Sequence, residues 1–292
     1  MRISDAGTAQ AGLRRLQLHM SAVERARTEL GTGKRIRRPS DDVAGFSRAQ
    51  ALRQTAGASS QAQRNVEDGI MWSRLADTVL QDVVSRLHRA KELSVAGANS
   101  TTSHDALADE VAALRADILD LANTRHLGRS LFGGHSSGDA VVDGGGTWSY
   151  AGDAGVVSRR IGESTTVQVN VTADDVFGFT AGRSVFESLD DLEARLRAGD
   201  TAGVSASIDD VDTALDQVLG SLATVGGVGE RLEAARVRLD DDLMTVRENL
   251  SSIEDADLAN SVVTLQMQQA AYEAALAALR SIDMSSLTNF IG

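Results

Sequence analysis

The sequence predicts a mainly α-helical protein: a long antiparallel helical bundle or coiled coil made from paired N- and C-terminal segments, with a small β-rich inserted domain. Three observations predict it. Apolar residues recur at alternating spacings of three and four along both flanks, the mark of one helix packed on another. A chain of 292 residues contains one proline, Pro39, so almost nothing interrupts a long helix. Glycine and short β-prone runs gather between the flanks. Aromatics make up only 3% of a chain that is 42% hydrophobic, so Leu, Val, Ile and Ala must build the core.

From the N-terminus, Ala6, Ala9, Leu13, Leu16, Met20, Val23, Arg27 and Leu30 form one seam, broken once at Arg27. Gly31-Thr32-Gly33 should end that helix, because glycine is a poor helix former and a good C-cap. Ala76, Leu80, Val83, Leu87 and Ala90 form a second seam, and Leu107, Val111, Leu114, Ile118 and Leu121 a third. Residues 99–103 read as the turn between them, with Ser103 as N-cap. Glycine becomes dense from Gly133 onward, and residues 147–150, 156–157 and 165–171 read as strands. Residues 185–196 return to helix. Val211, Leu215, Val218, Leu222 and Val225 continue the helical spacing up to an expected break at Gly226-Gly227. Leu232, Arg236, Leu239, Leu243, Val246, Leu250 and Ile253 then lead to a slip of register at residues 254–257, where a joint is expected. Leu258, Val262, Leu265, Gln269, Tyr272, Leu276 and Leu279 form the last seam. The implied organisation pairs residues 1–42 with 254–292 as an inner domain and residues 43–135 with 200–253 as a middle bundle. Residues 136–199 are the outer β-rich insert, ending in a short helix.

Charge is unevenly spread. The net charge is −12, yet residues 1–53 carry eleven basic and five acidic groups, while residues 239–292 carry two basic and nine acidic ones. Ends of opposite sign, each with a helical seam, are expected to lie side by side. The acidity excludes a general nucleic-acid binder, which needs basic surface to displace counterions. No run reaches the roughly 18 apolar residues of a membrane span. Met1-Arg2-Ile3-Ser4-Asp5 lacks the apolar stretch of a secretory signal, which fits either the cytoplasm or a dedicated secretion machine. The absence of cysteine excludes disulfides, thiol catalysis and cysteine-based metal sites.

No catalytic, cofactor or metal constellation emerges. Gly134-His135-Ser136-Ser137-Gly138 matches the nucleophile elbow of serine hydrolases, but that motif needs a base later in the chain, and His135 is the last histidine. The five histidines show no metal-ligand spacing. Gly31-Thr32-Gly33-Lys34-Arg35 lacks the distal glycine and the hydroxyl of a phosphate loop. The basic run of residues 34–38 is followed at once by Asp41-Asp42, which reads as a turn fixed by charge pairing or as a subunit contact.

Several motifs resemble one family in order along the chain. Residues 31–45, from Gly31-Thr32-Gly33-Lys34-Arg35-Ile36 through Pro39-Ser40-Asp41-Asp42-Val43-Ala44-Gly45, resemble a signature of the bacterial flagellin superfamily. The Pro-Ser-Asp-Asp form is more similar to its hook–filament junction branch than to its filament subunits. Asn65-Val66-Glu67-Asp68-Gly69 and Leu131-Phe132-Gly133-Gly134 resemble further elements of that superfamily. So do residues 248–259, which include Glu254-Asp255-Ala256-Asp257, and the final Leu287-Thr288-Asn289-Phe290. The resemblance covers both flanks and leaves the central insert unmatched.

That resemblance implies a non-enzymatic structural subunit of the flagellum, found outside the cell after export through the flagellar secretion apparatus without a cleavable signal. Its implied partners are other copies of itself in a ring or helical layer, hook-associated protein 1, flagellin and an export chaperone, with no nucleic acid, membrane or cofactor. A filament subunit of the same superfamily is the alternative. Expected assembly residues are Leu13, Leu16, Met20, Val23 and Leu30 in the first seam, and Arg35, Pro39, Asp41 and Asp42 in the turn. Leu258, Val262, Leu265, Leu276 and Leu279 in the last seam, and Leu287 and Phe290 at the tip, complete the set. The few large residues of the first seam, each worth about 1.5–3 kcal/mol when buried, do not offset an ordering cost of about 1–2 kcal/mol per residue. Both ends are therefore expected to become rigid only on assembly.

Overall fold

The computed structural model describes the backbone of residues 2–99, 103–162, 164–180 and 182–291, with the side chains of residues 2–6, 8, 9 and 279–291 outside the described set. The chain divides into two compact units, residues 1–57 with 243–292 and residues 58–242. Helix α1 spans Arg2–Thr32, α2 Val43–Ala98, α6 Thr201–Glu254 and α7 Leu258–Ile291. Among the described residues no helix is long and apolar enough to cross a membrane.

In the first unit, α1 packs along α7. His19 Nδ1 lies 3.0 Å from Gln268 Oε1, and Lys34 forms an antiparallel bridge with Asp255, so the two ends of the chain run antiparallel as the seams predict. Gly33, at φ 67°, closes α1 with its N–H on the Glu29 carbonyl at 2.8 Å. Glycine adopts this left-handed conformation without the steric cost other residues incur.

In the second unit, α2 and α6 also run antiparallel: Gln63 meets Asp240 at 2.7 Å, Ser73 Oγ donates to the Val225 carbonyl at 3.1 Å, and Lys91 meets Asp212 at 2.8 Å. Helix α3 (His104–Ala122) packs on α5 (Val185–Arg197), joined by Arg115 to Glu193 at 2.6 Å and Arg197 to Asp109 at 2.8 Å. Arg115 also reaches Asp190, which accepts the indole N–H of Trp148 at 2.5 Å. Between these helices lie three two-stranded antiparallel hairpins. They pair β1 (Arg125–His126) with β2 (Arg129–Ser130), β3 (Val141–Asp143) with β4 (Trp148–Tyr150), and β5 (Ser158–Arg160) with β6 (Thr166–Gln168).

Strands of two or three residues cannot hold themselves together. They are held by the helices, because Val141, Val157, Val167, Phe132, Phe177 and Phe186 share one buried core with Leu80, Leu87, Ile118 and Leu232. Trp148 stacks on Phe186 at 4.8 Å, and Phe177 lies 5.3 Å from the same ring. The β-rich stretch is thus part of the core of residues 58–242, where the sequence suggests a separate insert over residues 136–199.

Four local expectations are corrected. Gly226-Gly227 breaks nothing: α6 runs through it. A helical glycine costs about 1 kcal/mol relative to alanine, and the flanking buried Val225 and Val228 outweigh that. Ser103 occupies the N-cap position of α3, but its side chain caps no backbone N–H. The strand expected over residues 165–171 covers only Thr166–Gln168. Beyond it the Asn170 side chain takes over the pairing, accepting from the Val157 N–H at 2.8 Å and donating to the Gly155 carbonyl at 2.9 Å. Inside the stretch read as β-rich sits a short helix, α4 (Ala173–Phe177), started by a capping box between Thr172 and Asp175.

Candidate assembly surface

The expected assembly residues fall on α1, α7 and the turn between α1 and α2, and the structure divides them into two groups. On α1, Leu16, His19, Val23, Ala26 and Leu30 are buried or half-buried, at the alternating spacing of a helix seam. Leu16, Val23 and Leu30 therefore serve pairing within the chain. Leu13 and Met20 do not: they are 54% and 56% exposed. The inward positions between the large residues are taken by His19 and Ala26, one residue before the expected Met20 and Arg27. On α7, Leu265 and Leu276 are half-buried beside the fully covered Ser261, while Leu258 and Val262 are 52% and 42% exposed. Leu279, Leu287 and Phe290 belong to α7 but lie outside the residues whose side chains are described.

Pairing of α1 with α7 thus leaves a second set of apolar residues uncovered. Leu13 and Met20 are seven apart, which places them on one face of α1, and Leu258 and Val262, four apart, share a face of α7. The helix pair thus has one seam filled and further apolar residues facing outward.

The turn of residues 33–42 is held differently from the expected charge pairing of Asp41 and Asp42 with residues 34–38. Asp41 Oδ2 accepts the backbone N–H groups of Arg37 at 3.1 Å and Arg38 at 2.9 Å. Those two amides hold the Asp41 carboxyl below its ordinary carboxylate pKa, since hydrogen bonds to the charged form favour it. Asp42 Oδ1 accepts the Gly45 N–H at 2.9 Å and so caps α2. Both carboxylates bind backbone: Asp42 takes an unpaired N–H at the start of α2, and Asp41 closes the loop that precedes it. Pro39 sits exposed in the turn they close.

The cations go elsewhere. Lys34 Nζ lies 2.8 Å from Glu254 Oε2, and Arg53 pairs with Glu254 Oε1. Arg35 Nη2 donates to the Ile253 carbonyl at 2.9 Å. The backbone completes the joint: the Arg35 N–H donates to the Glu254 carbonyl at 2.6 Å, and the Ala256 N–H to the Gly33 carbonyl at 2.9 Å. Glu254, a carboxylate only 1% exposed, is therefore the centre on which both ends of the chain converge. Its position in the predicted joint was the one available signal. Nothing in the spacing marks Arg53 as its partner.

Two further turn residues have a steric reason. Ile36 is fully buried, and a Cβ on Gly45 would stand 2.6 Å from Ile36 Cδ1 and 2.5 Å from Asp42 Oδ2. The glycine that ends the motif thus makes room for its cap and its anchor. At the elbow-like sequence, Ser136 Oγ accepts the Gly138 N–H at 3.2 Å and the His135 ring lies 3.2 Å from the Val156 carbonyl, so both groups serve loop structure.

Residues 3–137 match the model of the bacterial flagellin N-terminal helical region, and residues 208–291 that of the C-terminal helical region, together about three-quarters of the chain. Flagellin of Bacillus subtilis strain 168 is 29% identical over 284 residues, 90% of each chain, and flagellar hook-associated protein 3 of Escherichia coli K12 is 26% identical over 288 residues, again 90% of each. Among solved structures, a flagellar hook-associated protein from Vibrio parahaemolyticus superposes with a TM-score of 0.68 at 22% identity, covering 74% of this chain and 100% of that one. The flagellar junction protein of Legionella pneumophila superposes with a TM-score of 0.61 at 17% identity, covering 71% and 99%.

Proposed function

Since the chain belongs to the bacterial flagellin family, whose members named above are structural proteins of the flagellum, we propose that it forms the junction layer between hook and filament. Its function is contact rather than catalysis. In this role an export chaperone delivers it to the flagellar secretion apparatus, and outside the cell it stacks on hook-associated protein 1. It packs laterally against further copies and presents a platform on which flagellin builds. The observation that carries the reading is the doubled use of the terminal helices: α1 and α7 fill one seam with each other and leave Leu13, Met20, Leu258 and Val262 exposed for neighbours. The likeness to the hook-associated protein 3 sequence and to solved junction-protein folds supports a junction layer in particular.

The likeness to Bacillus subtilis flagellin favours a second reading, a filament subunit. Electron microscopy of cells lacking the protein tests both. A junction protein leaves hooks that carry no filament while flagellin is shed into the medium. Normal filaments on such cells would sink the proposal, and purified protein growing alone into long filaments would establish the second reading in its place.

A further inference from the structure

The basic run that follows α1 divides in two. Lys34 and Arg35 turn back into their own chain, onto Glu254 and the Ile253 carbonyl. Arg37 and Arg38 give only their backbone N–H groups, to Asp41. Their guanidinium groups are exposed, as is that of Arg48 in the second turn of α2. None of these three side chains has an ion pair or hydrogen bond among the described residues, and the acidic groups of the turn, Asp41 and Asp42, bind backbone instead. Pro39 and Val43 stand between them in the chain, both exposed, Val43 by 70%. The turn thus presents apolar surface and unpaired cations together.

Helix α6 presents the opposite combination. Its inward series, Val228, Leu232, Ala235, Leu239 and Leu243, is buried. On the other side of the same continuous helix run Glu230, Ala234, Val237, Asp241, Met244 and Glu248, all exposed. Alternating spacings of four and three keep them on one face, over about 27 Å. Val237 and Met244 are 55% and 63% exposed. Glu230, Asp241 and Glu248 have no ion pair or side-chain hydrogen bond among the described residues. Off this face Glu233 pairs with Arg74 and Arg236, Asp240 meets Gln63, and Glu254 meets Lys34. The arginines of this stretch of helix lie about a quarter-turn or more away from the face. Three unpaired carboxylates therefore alternate with apolar side chains in a second seam that the chain itself leaves open.

Every copy carries both surfaces, and their unpaired charges are of opposite sign. We propose that the turn of one copy packs on the outer face of α6 in the next copy of the assembled layer. Val43 covers the Val237 and Met244 side chains, and Arg38 and Arg48 reach Asp241 and Glu248. Exposed charges contribute little cohesion each, so the apolar contact holds the pair while the charges set its register and reject wrong neighbours. The two surfaces differ, so the contact is heterologous, and its repetition closes a ring or continues as a helix. The inference rests on the self-assembling layer proposed above.

Exchange of charge tests the pairing. Arg38→Glu with Arg48→Glu in one variant, and Asp241→Arg with Glu248→Arg in another, should each lower recovery of the protein in flagella about tenfold, because like charges then meet. Both should keep the melting temperature of the purified chain, since none of the four side chains has an ion pair within it. The variant combining all four substitutions should regain most of the lost incorporation. The contact can also be trapped with every charge in place. The chain has no cysteine, so Val43→Cys and Met244→Cys each introduce a single thiol. Flagella from cells producing both variants should give a cross-linked pair with a short bis-maleimide, and those from cells producing either alone should not. Normal incorporation of either reversal, a combined variant no better than the reversals, or no mixed cross-link would overturn the contact. If the exchange restores incorporation while cells lacking the protein still carry filaments, the junction reading fails and the contact stands.

Discussion

Glu254 is the residue on which the local energetics of the first unit turn. A carboxylate taken out of water costs several kcal/mol unless charge and hydrogen bonds compensate it. Here Lys34 and Arg53 supply the charge, each with more than a third of its side chain still in solvent. Water reaches the cations and screens them, so the arrangement contributes less than a fully enclosed triad would. It does specify which segments meet, because Lys34 lies at the start of the turn, Arg53 follows it on α2 and Glu254 ends α6. Glu254→Gln keeps the shape and removes the charge, leaving both cations without their counterion. The expected outcome is a loss of about 1–3 kcal/mol in urea unfolding followed by a probe in the first unit, with Lys34→Met losing less because Arg53 still compensates the carboxylate. Equal stability of Glu254→Gln and the parent would show that the joint is held by its backbone pairing alone.

Helices were legible in the sequence because their period survives any partner; which residues of a stripe face inward was not. The α1 seam reads correctly at Leu16, Val23 and Leu30 and is displaced by one residue between them, toward His19 and Ala26. Larger Met20 was the natural inward choice by hydrophobicity, but close approach of two helices favours small side chains, and His19 finds Gln268. The β1–β2 hairpin was invisible for a related reason: no alternation of apolar and polar residues exists in two-residue strands, and Leu-Gly is not a hairpin-turn pair. The displaced seam separates two kinds of mutation. Val23→Asp places a charge against α7 and should unpair α1 in the free chain, read as lost helicity by circular dichroism. Leu13→Asp with Met20→Asp should leave that spectrum unchanged and abolish incorporation into flagella. Were the double variant to incorporate normally, the outward set would not be the assembly face.

The two units differ in how much each buries on its own. Residues 58–242 share a continuous core in which α2, α3, α5, α6 and the β3–β4 and β5–β6 hairpins take part. The first unit, among its described side chains, buries Val23 and Ala26 of α1, Ile36 of the turn, Ala49 of α2 and Leu243 of α6 as its hydrophobic core, a few residues spread over four elements. The β-rich stretch looked separable because glycine content marks loops and says nothing about whether valines between the loops join a neighbouring core. The same contrast in burial governs when each part becomes rigid. Helical hydrogen bonds alone are marginal in water, and an amphipathic helix is stabilised chiefly by what covers its apolar face. In the free chain α1 and α7 cover each other on one side, assisted by the opposite charges of the two ends; in the layer proposed above, neighbours would cover the other. Hydrogen exchange should therefore find the amides of residues 12–30 opening far more often than those of residues 62–93 in the purified chain, since local opening follows local burial. Incorporation into flagella should slow exchange in residues 12–30 by orders of magnitude and change residues 62–93 little. Protection of α1 in the free chain equal to that of the α2 core would mean that the terminal pair is stable without neighbours, and that assembly adds contacts to a finished surface rather than completing the fold.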